Sequence, residues 1–456
     1  MIVNPSIFKS YDIRGIYGSD LTEEIAYKIG RAYGTFIQKE NPDKKLTIAV
    51  SQDMRSSSPS LTEKLIEGLM DQGLNVCDIG LNSTPTMYFG TAFYGFDGGI
   101  QVSASHNPKE YNGFKMVRRG AVPISGNSGI MEIRDLVIAD NFENVENKGE
   151  LTKKENIMDD LIKSQKEEWK IDFSQIKPFK IVIDAANAMG AIDCDAIFKD
   201  LPCEIVRLNW ELDGNMPAHQ PDPLDEKNLE ETIRTVKETG ADLGICPDGD
   251  GDRVFFVDNE GQVIRQEILR GIMAQLALKD HPGATVAYDI RPGKITKDMI
   301  EEAGGKAVIT RVGHSHIKES MLKAGAIFGG ESSGHYFYKF SYGTFESPEV
   351  LIWKFLEFIS GKNQTVSEII KPYKRYFHSG EINSKVENVA ETLGKIKDVF
   401  ADGEINELDG ITVTYKDWWF NVRGSNTEPL IRLNLESVSK ELTEQKANEV
   451  LEIIRS

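Results

Sequence analysis

Residues 98–116 read GGIQVSASHNPKEYNGFKM, and the rest of the chain is organised around this stretch. The apolar run at residues 100–102 predicts a short buried strand, which ends in small polar residues. Pro108 removes a backbone donor and keeps the residue before it out of helical geometry, so a rigid turn should follow the strand. We expect Ser105 at the end of the strand and a second turn at residues 112–113.

Ser105 has the setting of a nucleophile or a phosphate carrier. It lies on the predicted rigid loop, beside His106, and Lys115 follows ten positions later. A reactive hydroxyl needs this combination of exposure, rigidity and neighbouring donors or bases. The alternative is a polar loop that caps a helix, and the short S-x-H-N-P motif alone favours that alternative. Three stretches further along the chain change the balance.

The strongest metal signal is the segment CPDGDGDRVFF at residues 246–256, which places Asp248, Asp250 and Asp252 at alternate positions between glycines. Carboxylates at this spacing can converge on one hard cation, because glycine permits the backbone angles that convergence needs. An EF-hand needs glycine at loop position six and glutamate at position twelve. Counted from Asp248, this segment has neither residue at those positions, so an EF-hand is excluded. A plain acidic turn would leave three like charges unneutralised. Mg²⁺ fits better than Ca²⁺, because three protein ligands leave positions open for phosphate or water.

The segment GGESSGH at residues 329–335 matches the G-x-S-x-G pattern of hydrolases, but strand-like aromatic residues follow it instead of the required helix. We interpret it as a loop in which Glu331 and the serine hydroxyls, including Ser333, bind sugar hydroxyls. A glycine-rich turn is the competing interpretation.

Two more segments complete the set. Arg423, Ser425, Asn426 and Thr427 stand around a glycine in RGSNTEP, and such residues can form a phosphate-binding nest. His314 follows a predicted strand and could act as a general acid or base, although a lone histidine is more often structural. Together the four loops describe phosphoryl transfer on a phosphorylated sugar.

The pattern of elements predicts three related α/β domains in tandem. Strand–helix–strand openings begin near residues 46, 180 and 285, each about a domain apart. A helix is expected to start with Ser58 as its N-cap. The charged segment 141–170 should be an exposed linking helix. After a linker at 371–373 the signals change to a small α+β domain. We predict domains at 1–150, 151–257, 258–370 and 371–456.

Composition limits the class of protein. The 456 residues are 40% hydrophobic and carry a formal net charge of −18, which argues against nucleic acid as the main partner. The sequence shows neither a signal peptide nor an apolar run long enough for a transmembrane helix. The four cysteines follow no metal-binding spacing, and we expect a cytoplasmic protein without a membrane partner.

With all these motifs in order, the chain resembles the α-D-phosphohexomutase family, and most closely its bacterial phosphomannomutase/phosphoglucomutase branch. SASHNP with YNGFK resembles the phosphoserine loop, DGDGDR the magnesium loop, GESSGH the sugar loop and RGSNTEP the phosphate loop. YDIRG near the start and VGHS before the sugar loop are also similar to family motifs. The resemblance implies a heart-shaped enzyme of four domains, with its active site in a central cleft.

The resemblance also implies a role for each matching residue. Ser105 would be the phosphoserine, and Mg²⁺ would be held by its phosphate with Asp248, Asp250 and Asp252. The acid/base candidates would be Lys115 and His314, assisted by Arg14 and His106. Arg253 would contact the phosphoryl group in transit. The substrate would be bound by Tyr11 of YDIRG and by residues of the sugar and phosphate loops, namely Glu331, Ser333, Arg423, Ser425, Asn426 and Thr427.

The implied enzyme is a mutase, an isomerase of carbohydrate metabolism, that interconverts hexose 1-phosphate and hexose 6-phosphate through a hexose 1,6-bisphosphate. This bisphosphate would also serve as activator, and the enzyme would be a monomer or a homodimer. Mannose or glucose phosphate is the expected substrate. Two departures, Ser332 where this branch often has Met and Tyr342-Gly343 where Asp-Gly is common, leave the sugar open. The alternatives are a phosphoglucosamine mutase, a metal-dependent sugar-phosphate phosphatase and a non-enzymatic Ca²⁺-binding module.

Overall fold

The computed structural model describes residues 3–42, 44–143, 145–291, 293–424 and 430–455. The chain forms two compact units, and each is described by itself. The first unit contains Met1–Ile264 and Ser333–Ile369, and the second contains Arg265–Ser332 and Ile370–Ser456. The four cysteines are free thiols.

The first sheet of the first unit is mixed and has the strand order β1-β5-β4-β2-β3-β7, with β6 paired to β5. Its strands are β1 (Ile13–Ile16), β2 (Thr47–Gln52), β3 (Asn75–Leu81), β4 (Gly98–Val102), β5 (Tyr111–Arg118), β6 (Val122–Pro123) and β7 (Leu151–Lys153). The accompanying helices are α1 (Glu23–Glu40), α2 (Ser58–Asp71), α3 (Thr84–Phe93), α4 (Met131–Ala139) and α5 (Ile157–Glu168). The central strands β2 and β4 are parallel and almost wholly buried, as their apolar runs predict.

A second sheet in the same unit has the order β11-β10-β8-β9. Its strands are β8 (Lys180–Asp184), β9 (Glu204–Leu208), β10 (Leu243–Pro247) and β11 (Val254–Asp258). The accompanying helices are α6 (Gly190–Phe198) and α7 (Glu230–Thr239). Strands β8, β9 and β10 are parallel, whereas β10 and β11 form an antiparallel hairpin whose turn carries the three aspartates. The hairpin turn therefore lies at the carboxyl end of a buried parallel strand.

The second unit begins with an α/β region. Its elements are α8 (Gln266–Asp280), β12 (Thr285–Asp289), α9 (Lys294–Glu302), β13 (Lys306–Thr310), α10 (His314–Ala324) and β14 (Phe328–Gly330). Strand β12 pairs in parallel with both β13 and β14. The chain then returns to the first unit with an antiparallel hairpin and two helices, namely β15 (Tyr336–Lys339), β16 (Thr344–Glu346), α11 (Pro348–Ser360) and α12 (Val366–Ile370).

The C-terminal part of the second unit is an α+β region around an antiparallel sheet. Its elements are β17 (Phe377–His378), β18 (Ile382–Lys385), α13 (Val389–Val399), β19 (Glu404–Asn406), β20 (Ile411–Thr414), β21 (Trp418–Gly424), β22 (Leu430–Ser437) and α14 (Lys440–Ile454). Short helical turns elsewhere in the chain are Pro5–Ile7, Arg119–Ala121, Gly126–Ile130, Phe173–Gln175, Glu226–Leu229 and Lys371–Tyr373. Successive α/β regions followed by an α+β region confirm the predicted fold class.

Three local predictions were wrong, namely the turn at residues 112–113, the N-cap at Ser58 and the continuous helix over residues 141–170. Asn112 and Gly113 do not form a turn but lie within β5, where pairing with β1 and β4 outweighs their turn preference. The Asn112 amide also donates to the hydroxyls of Ser57 and Ser58, which fixes the residue in the strand. The N-cap of α2 is Ser57, one residue earlier than expected, so Ser58 is already helical.

The charged segment 141–170 is not one continuous helix. Residues 151–153 form β7, which pairs in parallel with β3, and among the described residues of the segment only Ile157–Glu168 is α-helical. Asn156 precedes that helix with a φ of 60°, a left-handed conformation that stops the helix from extending backwards. Backbone pairing to an existing sheet edge thus overrides the helical preference of the first half of the segment.

Candidate active site

The Ser105 hydroxyl is buried against the aspartate turn. Ser105 follows the end of β4 with a φ of 53°, an unusual backbone conformation for a serine. Its Oγ donates to Oδ2 of Asp248 at 2.9 Å and lies 3.2 Å from Nδ1 of His106. Ser105 lies on the predicted loop, but it is buried and not exposed as expected, because the loop holds its hydroxyl between a carboxylate and an imidazole.

Arg55 fixes the shape of the Ser105 loop, and sequence reasoning missed it. Its guanidinium donates to the carbonyl oxygens of Ser105 at 2.7 Å and Asn107 at 2.6 Å, and to those of Pro108 and Tyr111. Asp53, itself buried, holds Nε of Arg55 at 3.2 Å. A charged Asp-Met-Arg segment directly after the predicted first strand was the available signal, because strand ends of α/β folds carry functional loops.

Asp248, Asp250 and Asp252 converge in the turn between β10 and β11. All three are buried, and their ligand atoms lie within 4.8 Å of one another. The Lys115 ammonium donates to Oδ2 of Asp250 at 2.6 Å and to Oδ2 of Asp252 at 2.5 Å. Oδ1 of Asp250 is buried and has no hydrogen-bond partner among the described residues. Three oxygen ligands and a buried oxygen without a donor fit a hard cation such as Mg²⁺.

The turn and the serine loop approach each other more closely than a side chain would allow. A Cβ at Gly249 would lie 2.4 Å from the carbonyl oxygen of Ser105. Thr84, another residue that sequence reasoning missed, donates its backbone N–H to the carbonyl of Asp250 at 2.9 Å, and its hydroxyl to the same residue's carboxylate at 2.5 Å. Its place at the start of α3 was readable, but its partner in a distant loop was not.

Burial and neighbouring charges shift the pKa values of the site residues in different directions. Burial, reinforced by Asp252 and Asp250, raises the pKa of Asp248 well above its usual value. Burial alone would also raise the pKa of Asp252, but Lys115 and His335 lower it well below its usual value. Burial acts against the charge of Lys115, yet Asp250 and Asp252 raise its pKa, so it remains an ammonium. Burial and then Arg253 lower the pKa of His106, which is therefore neutral.

Arg253 and His335 close another side of the aspartate turn. Nε of Arg253 lies 3.3 Å from Nε2 of His335 and 3.7 Å from Oδ2 of Asp248. Nε2 of His335 is 3.1 Å from Oδ1 of Asp252, and its Nδ1 is 3.0 Å from the hydroxyl of Ser333. His335 is the last residue of GESSGH, and its motif alone predicts no role for it, because only the fold brings it to the aspartates.

Strand β1 adds a further arginine to the first unit's site. Nε of Arg14 donates to Oδ2 of Asp12 at 2.8 Å, and its Nη1 donates to Oδ1 of Asn107 at 2.6 Å. Burial opposes its charge, but Asp12 and Asp250 raise its pKa. Tyr11 beside it is half-buried. The first unit therefore brings together Ser105, His106, Lys115, Arg14, Arg253 and the three aspartates.

The second unit carries His314 and Glu331. His314 follows β13, as expected, and is the first residue of α10, where it is half-buried. The buried carboxylate of Glu331 accepts from the backbone N–H of Gly313 at 2.7 Å. Arg291, also missed by sequence reasoning, lies 3.9 Å from Glu331 and 2.5 Å from Asp289. These contacts tie the predicted sugar loop to the loop that precedes His314.

The predicted phosphate nest is only partly described. Arg423 lies near the end of β21, and its Nη2 donates to Oε2 of Glu381 at 2.9 Å. Arg432 on the paired strand lies 3.2 Å from the other oxygen of Glu381. Ser425, Asn426 and Thr427 lie outside the described residues. Among the described residues, the two arginines share the carboxylate of Glu381.

Family comparisons match almost the whole chain. The phosphoglucomutase/phosphomannomutase descriptions of α/β/α domains I, II and III match residues 5–144, 159–261 and 267–376, and the C-terminal domain matches residues 381–453. The chain belongs to the phosphoglucomutase/phosphomannomutase family. It is therefore an enzyme of the phosphohexose-mutase class, an isomerase with a four-domain α/β fold, as the sequence motifs predicted.

Individual relatives agree over nearly their full length. The chain is 41% identical to a phosphomannomutase of Methanocaldococcus jannaschii, covering 98% of this chain and 97% of the relative. It is 39% identical to a phosphomannomutase of Vibrio cholerae, with 98% of both chains covered. A crystal structure of a phosphoglucomutase/phosphomannomutase family protein from Burkholderia thailandensis superposes with a TM-score of 0.88 at 31% identity. That match covers 100% of this chain and 98% of the other.

None of the helices in the described part of the chain combines the length and the apolar character that crossing a bilayer requires.

Proposed function

We propose that the enzyme interconverts hexose 1-phosphate and hexose 6-phosphate, with mannose or glucose as the sugar. Phospho-Ser105 gives its phosphoryl group to the free hydroxyl of the substrate, which makes a hexose 1,6-bisphosphate. The other phosphate of this intermediate then returns to Ser105. The names of the relatives favour mannose phosphate as substrate, and added hexose 1,6-bisphosphate would act as activator by keeping Ser105 phosphorylated.

The position of Ser105 Oγ carries this proposal. It lies 2.9 Å from a carboxylate of the three-aspartate turn and 3.2 Å from His106, on a loop that Arg55 holds through four carbonyl oxygens. A phosphoryl carrier needs a fixed oxygen beside groups that offset phosphate charge, because phosphoryl transfer depends mainly on positioning and electrostatics. A serine that only capped a helix would need neither the neighbouring aspartates nor the hydrogen bonds from Arg55 to its loop.

In the transfer step the bond between phosphorus and Oγ of Ser105 breaks, and a bond to the sugar oxygen forms. The sugar hydroxyl loses its proton to a base, and Oγ regains a proton when it leaves. We assign these transfers to Lys115 and His314, assisted by Arg14 and neutral His106. Arg253 stabilises the negative charge of the phosphoryl group in transit.

We propose that Asp248, Asp250 and Asp252, with the phosphate on Ser105, hold Mg²⁺. When bound, the cation offsets charge on the phosphoryl oxygens. Lys115, which lies in β5, donates hydrogen bonds from its ammonium to the carboxylates of Asp250 and Asp252. This arrangement leaves Lys115 close to both Asp250 and Asp252 while the serine oxygen faces Asp248.

Substrate recognition is assigned to the remaining motifs. Glu331 and Ser333 would bind sugar hydroxyls, and Tyr11 would contact the substrate. The nest of Arg423, Ser425, Asn426 and Thr427 would hold the phosphate that does not react. The positive charge of Arg423 and Arg432 around a single Glu381 supports an anion in that region. We place these functions in four domains with boundaries at 1–150, 151–257, 258–370 and 371–456.

The test is a product assay with separate sugars. The enzyme is incubated with Mg²⁺, a trace of glucose 1,6-bisphosphate and the 1-phosphate of mannose, glucose or glucosamine. We expect the 6-phosphate to appear with mannose or glucose, and to be lost in Ser105→Ala but retained in Ser174→Ala, an exposed serine on a distant turn. If glucosamine 1-phosphate is converted fastest, the preferred substrate is glucosamine phosphate and not mannose or glucose phosphate. If inorganic phosphate forms at the rate of turnover, the enzyme is a phosphatase and not a mutase.

A further inference from the structure

The long loop between β9 and the helical turn Glu226–Leu229 has no part in the proposed mechanism. Residues 209–225 contain neither a helix nor a strand. Ordered loops longer than about 12–15 residues without secondary structure are uncommon in compact domains and are usually functional. Residues 219–222 of this loop, which we call the bridging segment, contact both the serine loop and the aspartate turn.

The bridging segment is anchored on the end of a buried strand. Asp184, the last residue of β8, is 2% exposed, and its Oδ2 lies 3.1 Å from Nε2 of His219. The other ring nitrogen of His219 lies 2.9 Å from the carbonyl oxygen of Gln220. At the start of the loop, the Asn209 amide donates to Oδ1 of Asp184 at 3.0 Å. One buried carboxylate therefore holds both the first residue of the loop and the first residue of the bridging segment.

Gln220 completes the hydrogen bonding of the serine loop. Its Nε2 donates to the carbonyl oxygen of His106 at 2.8 Å. Arg55 donates to the carbonyl oxygens on either side, which are those of Ser105, Asn107 and Pro108. Together the two side chains bind all four consecutive carbonyl oxygens of residues 105–108. Because the positive φ of Ser105 is unfavourable for a serine, the loop keeps this conformation only with such support.

The next two residues of the bridging segment contact the aspartate turn and Arg253. The carbonyl oxygen of Pro221 accepts from the backbone N–H of Gly249 at 3.1 Å. A Cβ at Gly249 would lie 3.0 Å from Cγ of Pro221 and 2.4 Å from the carbonyl oxygen of Ser105, so three parts of the chain meet at this glycine. Oδ1 of Asp222 lies 3.8 Å from Nη1 of Arg253, a buried nitrogen without a hydrogen-bond partner among the described residues. Consecutive residues of the segment therefore reach the serine loop, the aspartate turn and Arg253.

We propose that the bridging segment fixes the position of the Ser105 oxygen relative to the aspartate turn, and that Gln220 is a positioning residue for phosphoryl transfer. This role rests on the proposed function, since it takes Ser105 as the phosphoryl carrier. Position matters for such chemistry, because a displacement of about 1 Å can lower a rate by about 10²-fold. A loop that served only to connect β9 to the next helix would not need a side chain bound to the residue after Ser105.

The first test is the kinetic effect of removing the Gln220 donor. Gln220→Ala and Gln220→Glu both lose the N–H group, and Gln220→Glu keeps the length of the side chain. We expect kcat to fall by about 10-fold in both variants. The KM for mannose 1-phosphate should stay within about twofold of the wild type, because the contact orients the phosphoryl carrier and not the substrate.

Gln175→Ala is the matched control. Gln175 is also an exposed glutamine with one side-chain hydrogen bond, which its Nε2 donates to Asp172 at 3.3 Å. This change should leave kcat and KM unaltered. The Tm of Gln220→Ala should lie within about 3 °C of the wild type, since the lost hydrogen bond is exposed. Wild-type kcat in both Gln220 variants would overturn the positioning role, and so would a raised KM at unchanged kcat, which would make Gln220 a substrate-binding residue.

Phosphorylation of Ser105 gives a readout that does not need a complete turnover. Dephosphorylated enzyme is mixed with Mg²⁺ and glucose 1,6-bisphosphate, and mass spectrometry follows the gain of one phosphoryl group. In this step a bond between phosphorus and a sugar oxygen breaks, the bond to Oγ of Ser105 forms, and the serine proton passes to the sugar oxygen through the acid/base groups. We expect a rate about 10-fold lower in Gln220→Ala than in the wild type or Gln175→Ala.

Two results of the phosphorylation assay separate the bridging segment from the proposed function. Equal rates in the wild type and Gln220→Ala would overturn the positioning role while leaving Ser105 as the carrier. A wild type that gains no phosphoryl group would overturn the proposed function, and the positioning role with it.

His219 tests whether the bridging segment acts as one unit. His219→Ala removes the contact with Asp184 and should lower kcat by a factor similar to that of Gln220→Ala. Because both residues act on the same loop, the double variant should lose less than the product of the two single effects. Effects that multiply would show independent action and overturn the single unit. If circular dichroism shows that His219→Ala does not fold, His219→Gln takes its place in the same comparison.

Discussion

Two buried aspartates stand at the ends of parallel strands and meet opposite electrostatic surroundings. Asp248 directly follows β10, and Asp289 is the last residue of β12. Asp248 shares its turn with Asp250 and Asp252, and burial together with these neighbours raises its pKa. Burial alone would raise the pKa of Asp289 as well, but Arg291 and Arg270 lower it.

The comparison shows that the surrounding charges, and not burial, decide what each site can bind. Around Asp248, three carboxylates converge in one turn with Lys115 and Arg253 against them, and converging oxygen ligands favour a hard cation. Around Asp289, two arginines face Asp289 and Glu331, and Ser332 adds donors at 3.1 and 3.0 Å. In the second cluster the carboxylates are paired with arginines, which holds the Asp289 carboxyl in its ionised form.

The largest expected effect tests this balance through Arg270. Its Nη1 forms a close ion pair with Asp289, and both groups are almost fully buried. Arg270→Met should lower the free energy of unfolding by about 3–5 kcal/mol, because it leaves a buried charge partly unpaired. Urea denaturation measures the change, and Arg270→Met combined with Asp289→Asn should recover a large part of it. A loss below about 1 kcal/mol would show that Arg291 alone compensates Asp289.

The next effect concerns the aspartate turn between β10 and β11. Asp250→Asn removes a proposed metal ligand and one partner of Lys115, and should lower kcat/KM by about 10²–10³-fold. It should also weaken Mg²⁺ binding measured by calorimetry. Asp289→Asn is the matched change at the other strand end and should leave Mg²⁺ affinity unaltered. Equal weakening by both variants would refute the distinction between the two sites.

A smaller effect tests the backbone of the aspartate turn against an unconstrained glycine. Gly251 has a φ of 77° and is packed against Asp193, whereas Gly304, with a φ of 72°, has nothing within 4 Å of its missing Cβ. Gly251→Ala should cost about 2–3 kcal/mol through backbone strain and crowding, and Gly304→Ala about 1 kcal/mol through strain alone. Thermal unfolding of the two variants compares the costs. A larger loss in Gly304→Ala would mean that the turn is not tightly supported.

The smallest effect sets the scale for exposed charge pairs. Lys297 lies 2.5 Å from Glu301, one helical turn away, and both side chains are about half exposed. Lys297→Ala should change stability by only about 0.3–0.5 kcal/mol, because solvent screens the pair. Urea denaturation in low and high salt measures it. An effect as large as that of Arg270→Met would show that burial is not what separates the two kinds of pair.

Periodicity made much of the fold predictable. The apolar runs that became β2, β8 and β12 were buried strands, and the change of pattern after the 371–373 linker marked the α+β region. The errors came where long-range pairing competed with local preference. Residues 112–113 carry a turn signal but lie in a strand between two neighbours, and residues 151–153 look helical but extend a sheet edge.

The motifs of the candidate site were likewise visible, but its supporting residues were not. Ser105, Lys115 and the alternating aspartates stand in recognisable local patterns, because each loop needs glycine, proline or repeated carboxylates. Arg55, Thr84 and His335 contact those loops from distant parts of the chain, at sequence separations that no local pattern reports.

The sequence by itself determined the family, the order of the four loops and the residue types that suit phosphoryl transfer and a hard cation. The tertiary structure alone decided which charges meet. Lys115 lies 135 positions from Asp250, and Asp193 lies far from Glu349 and Gly251, yet the fold places each of these groups in one buried environment. The strength of an electrostatic interaction depends on distance and burial, both of which are properties of the packed molecule and not of the order of residues.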